Sequence, residues 1–140
     1  MQSQVPHDRV VEVLPAVTLH GDVLAGPEFA EFAALSPDVR WSNAGPKDLD
    51  YFGVRNGRQQ VAEVFAILGQ DFDIAEFSPV EFFETGDRVA VLLHLKAAIR
   101  STRIGFEEDL VHVWTFGSDG LVASLQDIQD SATVAAALRG

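Results

Sequence analysis

Residues 105–130 have the sequence GFEEDLVHVWTF, GSDG and LVASLQDIQD, and this stretch decides the fold. The first and third segments are rich in valine, leucine and aromatic residues, while the second contains two glycines that favour a turn. Two apolar runs joined by a short glycine-containing turn are typical of a β-hairpin. We therefore predict two long antiparallel strands with one buried face.

The buried face of this hairpin carries a histidine and an acid. Residues two apart on a strand point to the same side, so Leu125 and Asp127 share a face. A turn at residues 117–120 sets His112 opposite Leu125 and Leu110 opposite Asp127. His112 and Asp127 then become diagonal neighbours within side-chain reach of each other.

The rest of the chain supplies three helices and three more strands before the hairpin, and one helix after it. The predicted elements are a loose arm over residues 1–7, a helix from Asp8 that Pro15 interrupts, a helix from Pro27 to Leu35, a strand over residues 39–43, a helix from residue 56 or 57 to 69, a strand over residues 72–84 with Pro79 at an edge or bulge, a strand over residues 88–99, and a C-terminal helix capped by Ser131. Helices grouped before antiparallel strands are typical of the α+β class. We predict one domain over residues 1–140, in which a curved, mostly antiparallel sheet wraps around the N-terminal helices and forms a cone with an internal pocket.

The composition argues against nucleic-acid and membrane partners. The chain has 140 residues, of which 10 are basic and 21 acidic, and its net charge of −11 repels phosphate backbones and anionic lipids. It contains no cysteine, which excludes disulfides, thiolate catalysis and cysteine-based metal sites. No apolar run reaches the length of about 18 residues that spans a bilayer. With its polar N-terminus, the chain is expected to be cytoplasmic.

Several short motifs together resemble the SnoaL-like polyketide cyclases. They are SPDVRWSNAGP at residues 36–46, FG at 52–53, ETGDRVAV at 84–91, HVWTF at 112–116, DG at 119–120 and DSA at 130–132. This family belongs to the nuclear transport factor 2-like superfold, together with ketosteroid isomerase and limonene epoxide hydrolase. The resemblance implies an apolar substrate inside the cone and an inward carboxylate on the last strand.

Taken residue by residue, the resemblance gives the catalytic role to Asp127. This residue lies where the cyclases and the epoxide hydrolases place their acid, and His112 matches the histidine of the cyclase pattern. A carboxylate in an apolar cone can act as a base or an acid near neutral pH because burial disfavours its charged form. His112 would orient Asp127, donate to a substrate carbonyl or carry a proton. The alternative for Asp127 is an acid at the open rim or one that satisfies a buried donor, and the alternative for His112 is a core histidine hydrogen-bonded to its neighbour.

The match to the epoxide hydrolases is incomplete. Asn43 lies where those enzymes have an asparagine that helps to hold a water, and Trp41 replaces a tyrosine there. Arg88 resembles the hydrolase arginine. Ala90, however, falls where the second carboxylate belongs, and Leu125 replaces a tryptophan. The missing acid disfavours epoxide hydrolysis.

Four further residues are candidates for the lining of the pocket. Trp41 and Trp114 would contact the substrate, although core packing explains them equally well. Tyr51 would donate to an oxyanion or pack in a lid, and His94 faces the cavity if Ala90 and Leu92 do. The acidic run at residues 107–109 is expected to be a solvated strand end.

The sequence favours no metal and no cofactor. His94, His112 and Asp127 would supply the three ligands of a catalytic zinc, but their spacing is not specific for a metal. A homodimer is also expected. The outer face of the sheet is predicted to carry the apolar residues Val89, Val91, Leu93 and Leu95, and no helix is left to cover them.

The predicted function is acid/base catalysis of the cyclase or isomerase type on a small apolar molecule in the cone. A non-catalytic module that binds a small ligand is the alternative. An enzyme similar to limonene epoxide hydrolase is the third hypothesis.

Overall fold

The strands and helices of a computed structural model are described for residues 34–140. Their bounds are β1 (Leu35–Asn43), β2 (Gly53–Asn56), α1 (Arg58–Asp71), β3 (Phe72–Thr85), β4 (Arg88–Ile99), β5 (Gly105–Phe116), β6 (Val122–Ile128) and α2 (Ser131–Arg139). The α+β class is confirmed. The predicted arm at residues 1–7, the helix from Asp8 and the start of the helix from Pro27 lie outside the described residues. Within the described residues, no helix is both long and apolar enough to cross a membrane.

A six-stranded mixed sheet has the order β2-β1-β6-β5-β4-β3. Strand β1 runs parallel to β6, and every other neighbouring pair is antiparallel. Strand β3 lies at one edge, and its register shifts twice, once between Pro79 and Glu81. The prediction of a long bent strand with Pro79 at an edge or bulge is confirmed, because proline has no amide hydrogen to give to a ladder.

Several element ends differ from the prediction. Strand β1 already begins at Leu35, so the prediction that a helix reaches this residue is wrong. The short strand β2 was not predicted, since its four residues carry little apolar pattern. Helix α1 continues to Asp71, and the cap of α2 is Asp130 rather than Ser131, because the Asp130 side chain accepts a hydrogen bond from the Thr133 amide.

The hairpin of β5 and β6 has a different register from the predicted one. Leu121 lies in the turn, where its carbonyl accepts from the Gly117 amide, and the pairing then shifts by one residue at Ala123. Such a bulge places two residues of one strand against one of its partner. As a result His112 lies directly opposite Asp127, and Leu125 lies opposite Trp114 rather than His112.

The two faces of β4 are the reverse of those predicted. Val89, Val91 and Leu93 are completely buried and belong to the core that packs against α1. The outer face instead carries Ala90, Leu92 and His94, which are half-buried. Both sets are largely apolar, so alternation alone could not decide which one faces inward. The prediction of an outer face built from Val89, Val91, Leu93 and Leu95 is therefore wrong.

Candidate functional site

A cavity lies between helix α1 and the inner face of the sheet. The described residues that line it are Trp41, Tyr51, Val64, Leu68, Phe72, Ile74, Phe77, Leu95, Leu110, His112, Asp127 and Gln129. Its volume is about 40 Å³. One water needs roughly 10–15 Å³, whereas pockets for drug-sized ligands measure roughly 300–1,000 Å³. In this conformation the cavity therefore fits only a very small molecule.

Asp127 and His112 form the polar end of this cavity. Their side chains are 6% and 4% exposed, and His112 Nε2 lies 3.4 Å from Asp127 Oδ1. Neither Asp127 Oδ1 nor His112 Nδ1 has a hydrogen-bond partner among the described residues. An ionised carboxylate is costly to bury unless its oxygens are hydrogen-bonded or paired with a charge. Oδ1 is thus able to accept a proton or a hydrogen bond from a bound molecule.

The other oxygen of Asp127 is fixed by Gln129. The Gln129 side-chain amide donates to Asp127 Oδ2 at 2.7 Å and to the Tyr51 hydroxyl oxygen at 2.7 Å. Sequence analysis missed Gln129, although it continues the alternation of Leu125 and Asp127 just beyond the end of β6. One amide group therefore sets the positions of an acid and a phenol at the same cavity.

Tyr51 is the second polar group that Gln129 holds. It is 5% exposed, and burial, followed by the charge of Asp127, raises its pKa above the ordinary value of 10. The phenol stays neutral over the whole pH range in which proteins work. Because its oxygen accepts from Gln129, its own hydrogen remains available for an acceptor such as a carbonyl oxygen.

Glu108 lies on the inner face of β5, beyond Leu110 and His112. It is 8% exposed, so the prediction that residues 107–109 form a solvated strand end is wrong for this residue. Its Oε1 accepts a hydrogen bond from the Asp130 backbone amide at 2.8 Å. Burial raises the pKa of Glu108 to about 7, and the charge of Asp127 contributes in the same direction. A second buried acid therefore lies close to the first.

The other predicted residues of the site differ in where they lie. Trp41 lines the cavity, whereas Leu125 and Trp114 pack behind it in the core. Asn43 is 2% exposed and lies opposite Asp127 in the pairing of β1 with β6. Neither polar atom of its amide group has a partner among the described residues. The pairing with Asp127 places Asn43 beside the polar end of the cavity, but Asn43 is not among the residues that line it.

His94 and Arg88 lie on the outer face of the sheet, so the expectation that they line the pocket is wrong. The His94 ring contacts Asp109 Oδ1 at 2.8 Å and Glu107 Oε2 at 2.6 Å, and these hydrogen bonds raise its pKa. Arg88 is exposed at the start of β4. Ala90 also faces outward, so an acid at this position would not reach the cavity. Among the described residues, no three acidic or histidine side chains are arranged to hold a metal ion.

Comparisons with known proteins agree on the family. The sequence model of the SnoaL-like domain matches residues 20–125. A nuclear transport factor 2-like protein from Burkholderia xenovorans LB400 is 23% identical, with 98% of each chain covered and a TM-score of 0.81. Another such protein, of unknown function and from Burkholderia pseudomallei K96243, is 26% identical, with 99% of this chain and 100% of the other covered and a TM-score of 0.78.

A third solved structure contains a small ligand. It is a hypothetical protein with a ketosteroid isomerase-like fold from Catenulispora acidiphila DSM 44928, in complex with trimethylamine. It is 15% identical, with 96% of this chain and 93% of the other covered and a TM-score of 0.72. A search of curated proteins found no match.

Proposed function

This chain belongs to the SnoaL-like domain family, and we propose that it binds a small apolar carbonyl compound and moves a proton with Asp127. The observation that carries this proposal is the difference in hydrogen bonding between the two oxygens of the Asp127 carboxylate. The side chain lines the cavity, one of its oxygens is held by Gln129, and the other is buried without a hydrogen bond from any described residue. A base fixed in this way needs little rearrangement to take a proton from a bound molecule.

The proposed reaction is the transfer of a proton within an unsaturated ketone. Asp127 Oδ1 takes a proton from the carbon beside the carbonyl, and the electron pair of that bond forms an enolate. The Tyr51 hydroxyl donates a hydrogen bond to the enolate oxygen, where negative charge develops. The protonated Asp127 then returns the proton to another carbon of the conjugated system. His112, which lies 3.4 Å from Oδ1, orients the carboxylate through both steps.

The cavity limits the substrate that this conformation accepts. A volume of about 40 Å³ fits only a few non-hydrogen atoms, and most of the described lining residues are apolar. A polycyclic substrate would require the lining side chains, among them Phe77 and Leu68, to move. Short ketones are therefore the appropriate first probes.

Pent-4-en-2-one provides a direct test. Proton NMR should show its conversion to pent-3-en-2-one. General acid/base catalysis contributes roughly 10²–10⁴-fold, so the rate should exceed that of buffer alone by at least about 100-fold. A rate equal to that of buffer would contradict the proposal for this class of ketone.

A non-catalytic binding module is the second candidate. The small volume of the cavity favours it, because only a small ligand fits. The aromatic rings of Trp41, Phe72 and Phe77, together with the Asp127 carboxylate, suit a small organic cation. The complex of a distant relative with trimethylamine is consistent with such a ligand. A saturation-transfer NMR signal from trimethylammonium, together with no conversion of the ketone, would favour binding over catalysis.

Epoxide hydrolysis remains the third candidate. None of the described residues that line the cavity is an arginine, and Arg88 is on the outer face of the sheet. The described lining therefore lacks the arginine that the resemblance to the epoxide hydrolases implies. Formation of a diol from 1,2-epoxybutane would revive this hypothesis.

We also propose a homodimer, through a different set of residues from the one predicted. The outer sheet face carries half-buried Ala90, Leu92, Val111 and Val113, with Ile128 beside them at 47% exposure. A second copy would remove this apolar face from water. Sedimentation at micromolar concentration should give twice the monomer mass, and Val111→Glu should yield monomers. A wild-type chain that sediments as a stable monomer would contradict the proposal.

A further inference from the structure

Glu108 is a buried acid for which the proposed proton transfer has no use. Its neighbours on the inner face of β5 and across β4 are Leu110 and Leu95, and both of these line the cavity. Its Oε2 is buried and has no hydrogen-bond partner among the described residues. An ionised glutamate at such a position lowers the stability of the folded chain, so its presence in the core calls for an explanation.

The Glu108 carboxylate is connected to the site through the backbone. Its Oε1 accepts from the Asp130 amide at 2.8 Å, and Asp130 follows Gln129 in the chain. Gln129 in turn donates to both Asp127 and Tyr51. A change in the Glu108 hydrogen bond therefore acts on the residue that positions both polar groups of the cavity.

We propose that Glu108 is a positioning residue whose protonation state controls how firmly Gln129 holds Asp127 and Tyr51. An ionised carboxylate forms a stronger, charge-assisted bond with the Asp130 amide than a neutral carboxyl group does. Ionisation thus fixes the segment at residues 127–130, and protonation loosens it. This inference concerns the regulation of the site in the proposed function and rests on that proposal for its biological meaning.

The groups around Glu108 fit this role. Asp127 on β6 and Asp130 before α2 act on its charge, and burial together with these two acids raises the pKa of Glu108 to about 7. The charge of Glu108 also acts on the Tyr51 phenol, which stays neutral. On β4 its partner Leu95 is apolar, and on β5 the nearest titratable group of the same face is His112. The switch would therefore operate close to neutral pH.

NMR titration tests the proposal without any turnover. The probes are the Asp130 backbone amide, the Gln129 side-chain amide and the Glu108 carboxyl carbon, followed from pH 5 to 9 in the wild type. All three should move with one common midpoint near pH 7. In Glu108→Gln, which keeps an acceptor for the Asp130 amide but cannot ionise, the two amide titrations should disappear. The exposed Glu81 provides the matched control, and Glu81→Gln should retain both titrations.

Three results would overturn the proposal. The first is a Glu108 carboxyl carbon that does not titrate near neutral pH. The second is a Gln129 amide that stays still while Asp130 titrates, because the change would then not reach the site. The third is an unchanged midpoint in Glu108→Gln. Since no substrate is present, these results are independent of the test with pent-4-en-2-one.

Discussion

Glu108→Gln is expected to be more stable than the wild type at pH 8 by about 3 kcal/mol and equally stable at pH 4. The ordinary pKa of a glutamate is 4.5, whereas burial raises that of Glu108 to about 7 in the folded chain. Between these values the folded state binds more protons than the unfolded state, so the stability of the wild type falls as the pH rises. Each pH unit in this window is worth about 1.4 kcal/mol. Glutamine cannot ionise and avoids the loss.

Urea unfolding at pH 4 and pH 8 measures this difference. The relevant quantity is the difference in the free energy of unfolding between Glu108→Gln and the wild type (the gap), and how this gap changes between the two pH values. His94 and the other titrating groups are common to both chains and cancel. Glu81→Gln removes an equal charge from an exposed position and should show no comparable change in the gap. A constant gap between Glu108→Gln and the wild type at both pH values would mean that Glu108 is not a buried, perturbed acid.

The sequence was sufficient for the main strands but not for the pairing between them. The apolar runs at residues 72–84, 88–99 and 105–116 each form a strand close to the predicted bounds. The register of β5 with β6 depends on a turn that includes Leu121 and on a bulge at Ala123, and neither has a distinct sequence signal. The predicted diagonal pair of His112 and Asp127 is consequently a directly opposite pair.

The orientation of β4 shows that alternation alone does not always predict which face of a strand is buried. Val89 and Val91 are apolar, but so are Ala90 and Leu92, and period-two patterning cannot choose between two apolar faces. The choice is made by the register with β5, which pairs Val91 with the buried His112. The predicted role of His94 followed from the wrong choice, whereas that of Arg88 came from the resemblance to the epoxide hydrolases.

Two residues of the candidate site were missed for different reasons. Glu108 was hidden in an acidic run, although it shares the alternation of Leu110 and His112, which are both buried. Gln129 lies beyond the last strand, and only the three-dimensional structure reveals that its amide reaches both Asp127 and Tyr51. Polar residues that continue an inward alternation are therefore candidates for the site, like the histidine and the acid.

Asp127→Asn is expected to have the second large effect. Asparagine has nearly the shape of aspartate and can still accept from the Gln129 amide through its side-chain oxygen, so the fold should persist. It cannot take a proton from carbon near neutral pH, however. Loss of a general base costs roughly 10²–10⁴-fold in rate. The conversion of pent-4-en-2-one should therefore fall to the rate of buffer.

The rate of this conversion in three chains is the most direct measurement of the role of Asp127. The wild type and Asp73→Asn, which changes an exposed aspartate of β3, should convert the ketone at equal rates. Asp127→Asn should be slower by at least about 100-fold, with an unchanged circular dichroism spectrum. If Asp127→Asn converts the ketone as fast as the wild type, Asp127 is not the acid/base group of this cavity.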